Sequence, residues 1–274
     1  MFKVDSLALN VPPHVRKRGL GDKVGIEEIS ELDTVQGVAG NIQLADEISD
    51  SPEAVARHIP EDILGRYEVY SYRNAALVLK EAFPSEFNEL MEALRAFKIS
   101  TSIIRAAGGN ESEVPKTVSG LLRRHGWHET SIQADLQVKL SWREPGLSAK
   151  GRAMTVPKER EIKRSKFLDG HKVDYVKNRV AFDLEWNSKD QTFDRDLYAF
   201  SAFAQCGVID VGVLLTRSLE LNPIFAALGV GAKYGASTTH MGKLLYRLNA
   251  GRNGSCPVLA IGIKPGCIED WPPI

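Results

Sequence analysis

The stretch Val173-Asp174-Tyr175-Val176-Lys177-Asn178-Arg179-Val180-Ala181-Phe182-Asp183-Leu184-Glu185-Trp186-Asn187-Ser188-Lys189 decides the fold. From Val180 to Trp186, the apolar residues Val180, Phe182, Leu184 and Trp186 alternate with Ala181, Asp183 and Glu185. Alternation with period two predicts a strand, so both carboxylates project from one face. Asp174 lies in a shorter extended run, Lys172 to Val176, and Lys177-Asn178-Arg179 has turn composition. A hairpin across that turn sets Asp174 beside Asp183. Three acids on one face repel each other unless a cation or a strong donor sits between them. Oxygen ligands at this density suit a hard divalent ion such as Mg²⁺.

Acids on the wet face of a surface strand are the alternative. Against it, the other face carries Phe182, Leu184 and Trp186, and the following strand, Val208 to Thr216, is almost wholly apolar. A sheet covered on both sides is expected, and unpaired carboxylates inside it would be costly. That favours the cation site.

Outward from the acids, Ser112 to Arg124 reads as a helix. Ser112 stands at the N-cap, Val118, Leu121 and Leu122 form one stripe, and Gly126 is the stop. Ile132, Ala134, Leu136, Val138, Leu140 and Trp142 then alternate with Gln133, Asp135, Gln137, Lys139 and Ser141, the clearest strand pattern in the chain. The acid-bearing strands follow after an insertion. Phe193 to Gln205 is predicted helical, with Leu197, Phe200 and Ala204 inward and Gly207 ending it. The succession is helix, three strands, helix, strand.

This succession, with acids on the second and third strands, resembles the PD-(D/E)XK nuclease core, an α/β fold with a mixed central sheet flanked by helices. Val173 to Ser188 is most similar to the BglII and BamHI branch of type II restriction endonucleases. The usual motif lysine is replaced there by Glu or Gln, and Glu185 stands at that position. Asp174 matches the first metal-binding acid and Asp183 the second, which is more often Glu. Val211 to Arg217 resembles the strand after the core helix. The resemblance covers roughly Gly108 to Arg217, extends to the C-terminus, and is absent from the first eighty or so residues. It implies Mg²⁺ held by Asp174 and Asp183, with Glu185 either a general base or a ligand of a second metal. Lys189 completes the catalytic set if it substitutes for the missing lysine; otherwise it is a surface lysine opening the next loop.

The chain has 274 residues, enough for one large domain or two small ones. No apolar run reaches the length of a membrane span, no signal-peptide pattern opens the sequence, and no membrane partner is expected. Cys206, Cys256 and Cys267 are odd in number and fit no zinc spacing, which suits a reducing cytoplasm. The net charge is zero, but residues 21–62 hold eleven acids against Lys23 and Arg57, a local net of −9. The insertion from Lys150 to Lys166 holds seven bases against Glu159 and Glu161. Lys158, Arg160, Lys163 and Arg164 in it are candidate DNA-phosphate contacts, a solvated loop being the alternative.

Residues 1–82 read as an acidic N-terminal extension with a short strand at Arg66 to Tyr72, and residues 83–274 as the nuclease core with DNA-contacting insertions. Pro84 and Ser85 open a helix whose Phe87, Leu90, Met91, Leu94 and Phe97 form an apolar stripe, for the core or for a dimer contact. Downstream, Lys233, Tyr234, Ser237, Thr238, Thr239 and His240 gather phosphate-binding residue types, and with Asn187 they join the candidate DNA contacts. A buried turn capping the helix Met241 to Leu248 is the competing view of that stretch. Cys256 to Ile263 is predicted to be a last strand. The expected function is Mg²⁺-dependent, sequence-specific cleavage of double-stranded DNA by a cytoplasmic type II restriction endonuclease acting as a homodimer. A repair or recombination nuclease on the same core, or a catalytically silent DNA-binding protein, are the rivals.

Overall fold

Two adjacent strands whose residues are all buried form the middle of the protein, and the acids sit on one of them. The computed structural model describes residues 48–106 and 113–272. The first 47 residues, which hold much of the acidic region, and Ser112, the expected helix cap, lie outside the described residues. The strands are β1 (Tyr67–Tyr72), β2 (His128–Leu147), β3 (Ala153–Lys177), β4 (Val180–Glu185), β5 (Val211–Arg217) and β6 (Val258–Ile263). The helices before β2 are α1 (Pro52–His58), α2 (Glu61–Arg66), α3 (Ala75–Ala82), α4 (Pro84–Ala96), α5 (Thr101–Arg105) and α6 (Glu113–Arg123). Those after β4 are α7 (Thr192–Gln205), α8 (Asn222–Ala227) and α9 (Met241–Asn249).

The sheet order is β1-β6-β5-β4-β3-β2. The pairs β4-β5 and β5-β6 are parallel, and the other three are antiparallel. This is the mixed, helix-flanked α/β sheet expected from the sequence. Side-chain parity sorts β4 and β5 into two cores. Val180, Phe182, Leu184, Trp186, Val211, Val213 and Leu215 pack with α4 and α6, while Ala181 and Leu214 pack with α7 and α9. The apolar stripe Phe87, Leu90, Met91, Leu94 and Phe97 is buried in the first of these cores, within its own chain. β1 pairs with β6 in the same sheet, so this strand of the expected extension is structurally part of the core sheet.

Two sequence readings need correction. The run containing Asp174 is the end of a strand of 25 residues, not a short extended segment. From Ala153 onward the basic insertion is no loop: it belongs to that strand and pairs with β2 from Leu147↔Ala153 back to Leu136↔Arg164. The alternating stretch Ile132 to Trp142 is therefore a strand, as expected, but only Ile132 in it is buried. Leu140 and Trp142 are exposed on a two-stranded arm beyond the main sheet. Register irregularities between Ile132 and Leu136 mark where the arm leaves the sheet, as bulges do by adding twist.

Helix α7 lies on the acid-bearing face, and a glycine admits it. A Cβ built on Gly212 of β5 would stand 2.3 Å from the ring of Phe200 on α7. Gly207, with φ of +69°, turns the chain after this helix. Replacing Gly212 by Ala is expected to push α7 off the sheet and lower stability by about 1–3 kcal/mol, the range for overpacking a core. Urea unfolding checks this, and an unchanged midpoint would show that the close approach carries no such constraint.

Candidate active site

The site begins at a two-residue turn. Asn178 adopts φ of +50°, and Lys177 pairs with Val180 across it. Helix α4 fixes the turn from outside, with Glu86 accepting from the Asn178 amide and Glu89 ion-paired to Lys177 at 2.5 Å. The ladder then runs through Val176↔Ala181 and Tyr175↔Phe182. Continuing that register sets Asp174 opposite Asp183, as the sequence pattern suggested.

Here the strands stop pairing, and the two side chains take over. The Asp174 amide donates to Asp183 Oδ1 at 2.7 Å, and the Leu184 amide donates to Asp174 Oδ2 at 3.0 Å. Each carboxylate thus satisfies a backbone donor that the parting strands would orphan. Asp174 is exposed at this opening, whereas Asp183 and Glu185 are 4% and 6% exposed. Burial first, and then the neighbouring Asp174 carboxylate, raise the pKa of Asp183 well above the usual range. Glu185 is raised as well, chiefly by burial.

Two residues not singled out in the sequence complete the cluster. Asp196, on the inward stripe of α7 with Phe193, Phe200 and Phe203, is fully buried. His171 stands on β3 beside the bulged region, paired with Ile132. His171, Asp183 and Asp196 each place a ligand atom within 4.8 Å of the other two. Arg195 covers the outer side, 3.1 Å from Asp196 Oδ1 and 3.6 Å from Glu185 Oε1. Burial and this guanidinium hold the His171 pKa below its ordinary value. The inner atoms His171 Nε2, Asp183 Oδ2, Glu185 Oε2 and Asp196 Oδ2 are buried without a hydrogen-bond partner. Such a concentration of unpartnered donor atoms fits a divalent cation. A groove of about 440 Å³ between β3 and α7, lined by His171, Arg195, Tyr198 and Phe203, opens beside the cluster. A carboxylate placed among the phenylalanines of an amphipathic helix was the available signal for Asp196.

The other candidates are scattered. Lys189 is exposed and makes no ion pair with the acids among the described residues; its backbone bridges to Thr238. Asn187 is half-buried, with Oδ1 unpartnered. Lys158, Arg160, Lys163 and Arg164 are all exposed on the arm. Their registers divide them. Lys158, Arg160 and Arg164 pair with Trp142, Leu140 and Leu136 and share their face. Lys163 pairs with Gln137 on the other face and bonds Glu161 at 2.9 Å.

In the stretch Lys233 to His240, two residues are withdrawn from any direct contact with a ligand. Tyr234 is buried, stacked on Phe225 at 4.0 Å and donating its hydroxyl to the Ile104 carbonyl. Thr239 is fully buried. Buried Arg217 organises this segment by donating to the Tyr234 carbonyl at 3.0 Å and to Thr238 Oγ1 at 2.8 Å. Lys233 bonds the carbonyls of Ile104 and Ala106. His240 precedes α9 without a side-chain cap bond, and burial pushes its pKa down to about 4. Of the six candidate contacts in this stretch only Ser237 is exposed.

Among the described residues no helix is long and apolar enough to cross a membrane. No curated protein matches the chain. A family model described as "Restriction endonuclease BglII/BglIII" matches residues 67–263, from the first residue of β1 to the last of β6. The match starts well before Gly108, where the resemblance read from the motif begins, because it includes the edge strand β1. The chain belongs to the BglII/BglIII restriction endonuclease family, within the PD-(D/E)XK superfamily.

Proposed function

We propose that this chain is a type II restriction endonuclease that hydrolyses both strands of duplex DNA at a specific sequence with Mg²⁺. The observation that carries the reading is the parting of β3 and β4 at Asp174 and Asp183, with Glu185 two residues further on. Family membership supports nuclease chemistry on DNA. Asp174 and Asp183 would hold the metal, which when bound polarises the scissile phosphate and lowers the pKa of the attacking water. Glu185 lies beyond Asp183 on the same face of β4 and would take a proton from that water or add a ligand oxygen. Arg195, more than half exposed, is free at its outer edge to meet a phosphate. Lys158, Arg160 and Arg164 would hold backbone phosphates along the arm, a ribbon narrow enough for the major groove. Among the described residues one such set of acids stands in each chain, so cutting both strands at one site calls for a two-fold homodimer on a palindrome. The cytoplasm is the compartment that suits DNA as substrate and free cysteines.

Digestion of a plasmid with Mg²⁺ tests the whole reading. Discrete bands support restriction, preference for branched substrates points to repair, and binding without cutting leaves a silent DNA-binding protein. Asp174→Asn and Asp183→Asn retain an acceptor oxygen for the amides at Asp174 and Leu184. Each is expected to cut cleavage by about a hundredfold or more while the melting temperature holds. Glu185→Gln should be milder, as Gln occupies this position in part of the branch. Full activity in either asparagine variant would remove these acids from the mechanism.

For the arm, neutralising Lys158, Arg160 and Arg164 together should weaken cognate and random duplexes alike. The salt slope of binding should flatten by up to about 0.9 per lost contact. Lys163→Gln, on the opposite face, should change little. An unchanged slope in the triple variant would take the arm out of the interface.

A further inference from the structure

The acids of the nuclease motif account for only part of the cluster at the sheet opening. Asp196 and His171 come from α7 and from the bulged part of β3, outside the motif, yet both converge on Asp183. Asp183 and Asp196 are more than nine-tenths buried, and each has an inner oxygen without a hydrogen-bond partner. His171 Nε2 is also unpartnered and lies 3.7 Å from Asp196 Oδ1. Arg195 answers one oxygen of Asp196 and one of Glu185 from the solvent side, and leaves the inner atoms unanswered. We propose that His171, Asp183 and Asp196 form a mixed nitrogen and oxygen cation site that binds a first-row transition-metal dication in preference to Mg²⁺. The proposal rests on the nuclease reading in one respect, because Asp183 would serve both this site and the motif pair with Asp174.

The preference follows from the donors. Carboxylate oxygens serve Mg²⁺, Ca²⁺ and Mn²⁺ alike, whereas an imidazole nitrogen is a good ligand for transition ions and a poor one for Mg²⁺. An all-oxygen pair at Asp174 and Asp183 would not discriminate in this way. The groove along His171 and Arg195 supplies an approach from solvent.

Mn²⁺ binding to the full-length, metal-stripped protein without DNA, followed by electron paramagnetic resonance, tests the site. Bound Mn²⁺ should show coupling to a ligand nitrogen, and Mg²⁺ should displace it only at roughly tenfold or greater excess. Asp196→Asn should weaken Mn²⁺ binding by about tenfold or more. His171→Ala and His171→Gln should both erase the nitrogen coupling and narrow the preference over Mg²⁺. Because two His171 variants and a spectroscopic signature are read, a folding defect in one variant does not decide the outcome. Absence of Mn²⁺ binding, or Mn²⁺ bound without nitrogen coupling and indifferent to His171, overturns the inference. In that case Mg²⁺-dependent cutting through Asp174 and Asp183 would still stand. Nitrogen-coupled Mn²⁺ in a protein that cuts no DNA would have the opposite meaning, keeping this site and discarding the nuclease reading.

Discussion

The structure depends on a pair of backbone amides that lose their strand partners. Where β3 and β4 diverge, the amides of Asp174 and Leu184 would be orphaned at the edge of a packed core. Asp183 and Asp174 accept from them instead. An unsatisfied buried amide costs about 1–3 kcal/mol, so each carboxylate is tied to the integrity of the sheet as well as to its chemistry. The exchange also fixes geometry. One oxygen of each acid is committed to the backbone, and Asp183 reaches the cluster with Asp196 of α7.

That face is crowded with negative groups by design of the packing. Gly212 lets Phe200 approach β5, and the same helix register that buries Phe193 and Phe200 drives Asp196 in among them. Three carboxylates with little solvent access cannot all ionise without compensation. Arg195 compensates from the outside, while burial and the neighbouring carboxylates push the pKa values of Asp183 and Asp196 upward. A cation would do the same job better. Unpartnered acids kept at one end of an otherwise apolar sheet cost stability.

The central sheet was legible because its signals are local. Alternation from Val180 to Trp186, a turn at Lys177-Asn178-Arg179 and an apolar run after α7 are each read within ten or so residues. What failed was non-local. Alternation says that two faces differ and is silent on what covers them, so Ile132 to Trp142 is legible as a strand but not as one that leaves the sheet with most of its length uncovered. Asp196 and His171 meet Asp183 only through tertiary packing, and no spacing in the sequence announces it. Tyr234 and Thr239 have the residue types of phosphate contacts, but Arg217, arriving from β5, draws that segment inward.

Zero net charge and a polyanionic partner are reconciled by strand parity. Lys158-Glu159-Arg160-Glu161 looks self-neutralising when read in sequence. On a strand, successive side chains point to opposite faces. Glu159 and Glu161 therefore lie with Lys139 and Lys163, and they ion-pair with those two lysines. Lys158 and Arg160 stand directly opposite Trp142 and Leu140, with Glu144 one pair further along that face. The arm thus has one face where two lysines and two acids pair beside Arg143, and one where Lys158, Arg160 and Arg164 stand among apolar side chains with Glu144. Charges on such a ribbon act over a screening length of about 8–10 Å, comparable to its thickness, so an approaching phosphate responds to the face it meets rather than to the sum over the chain.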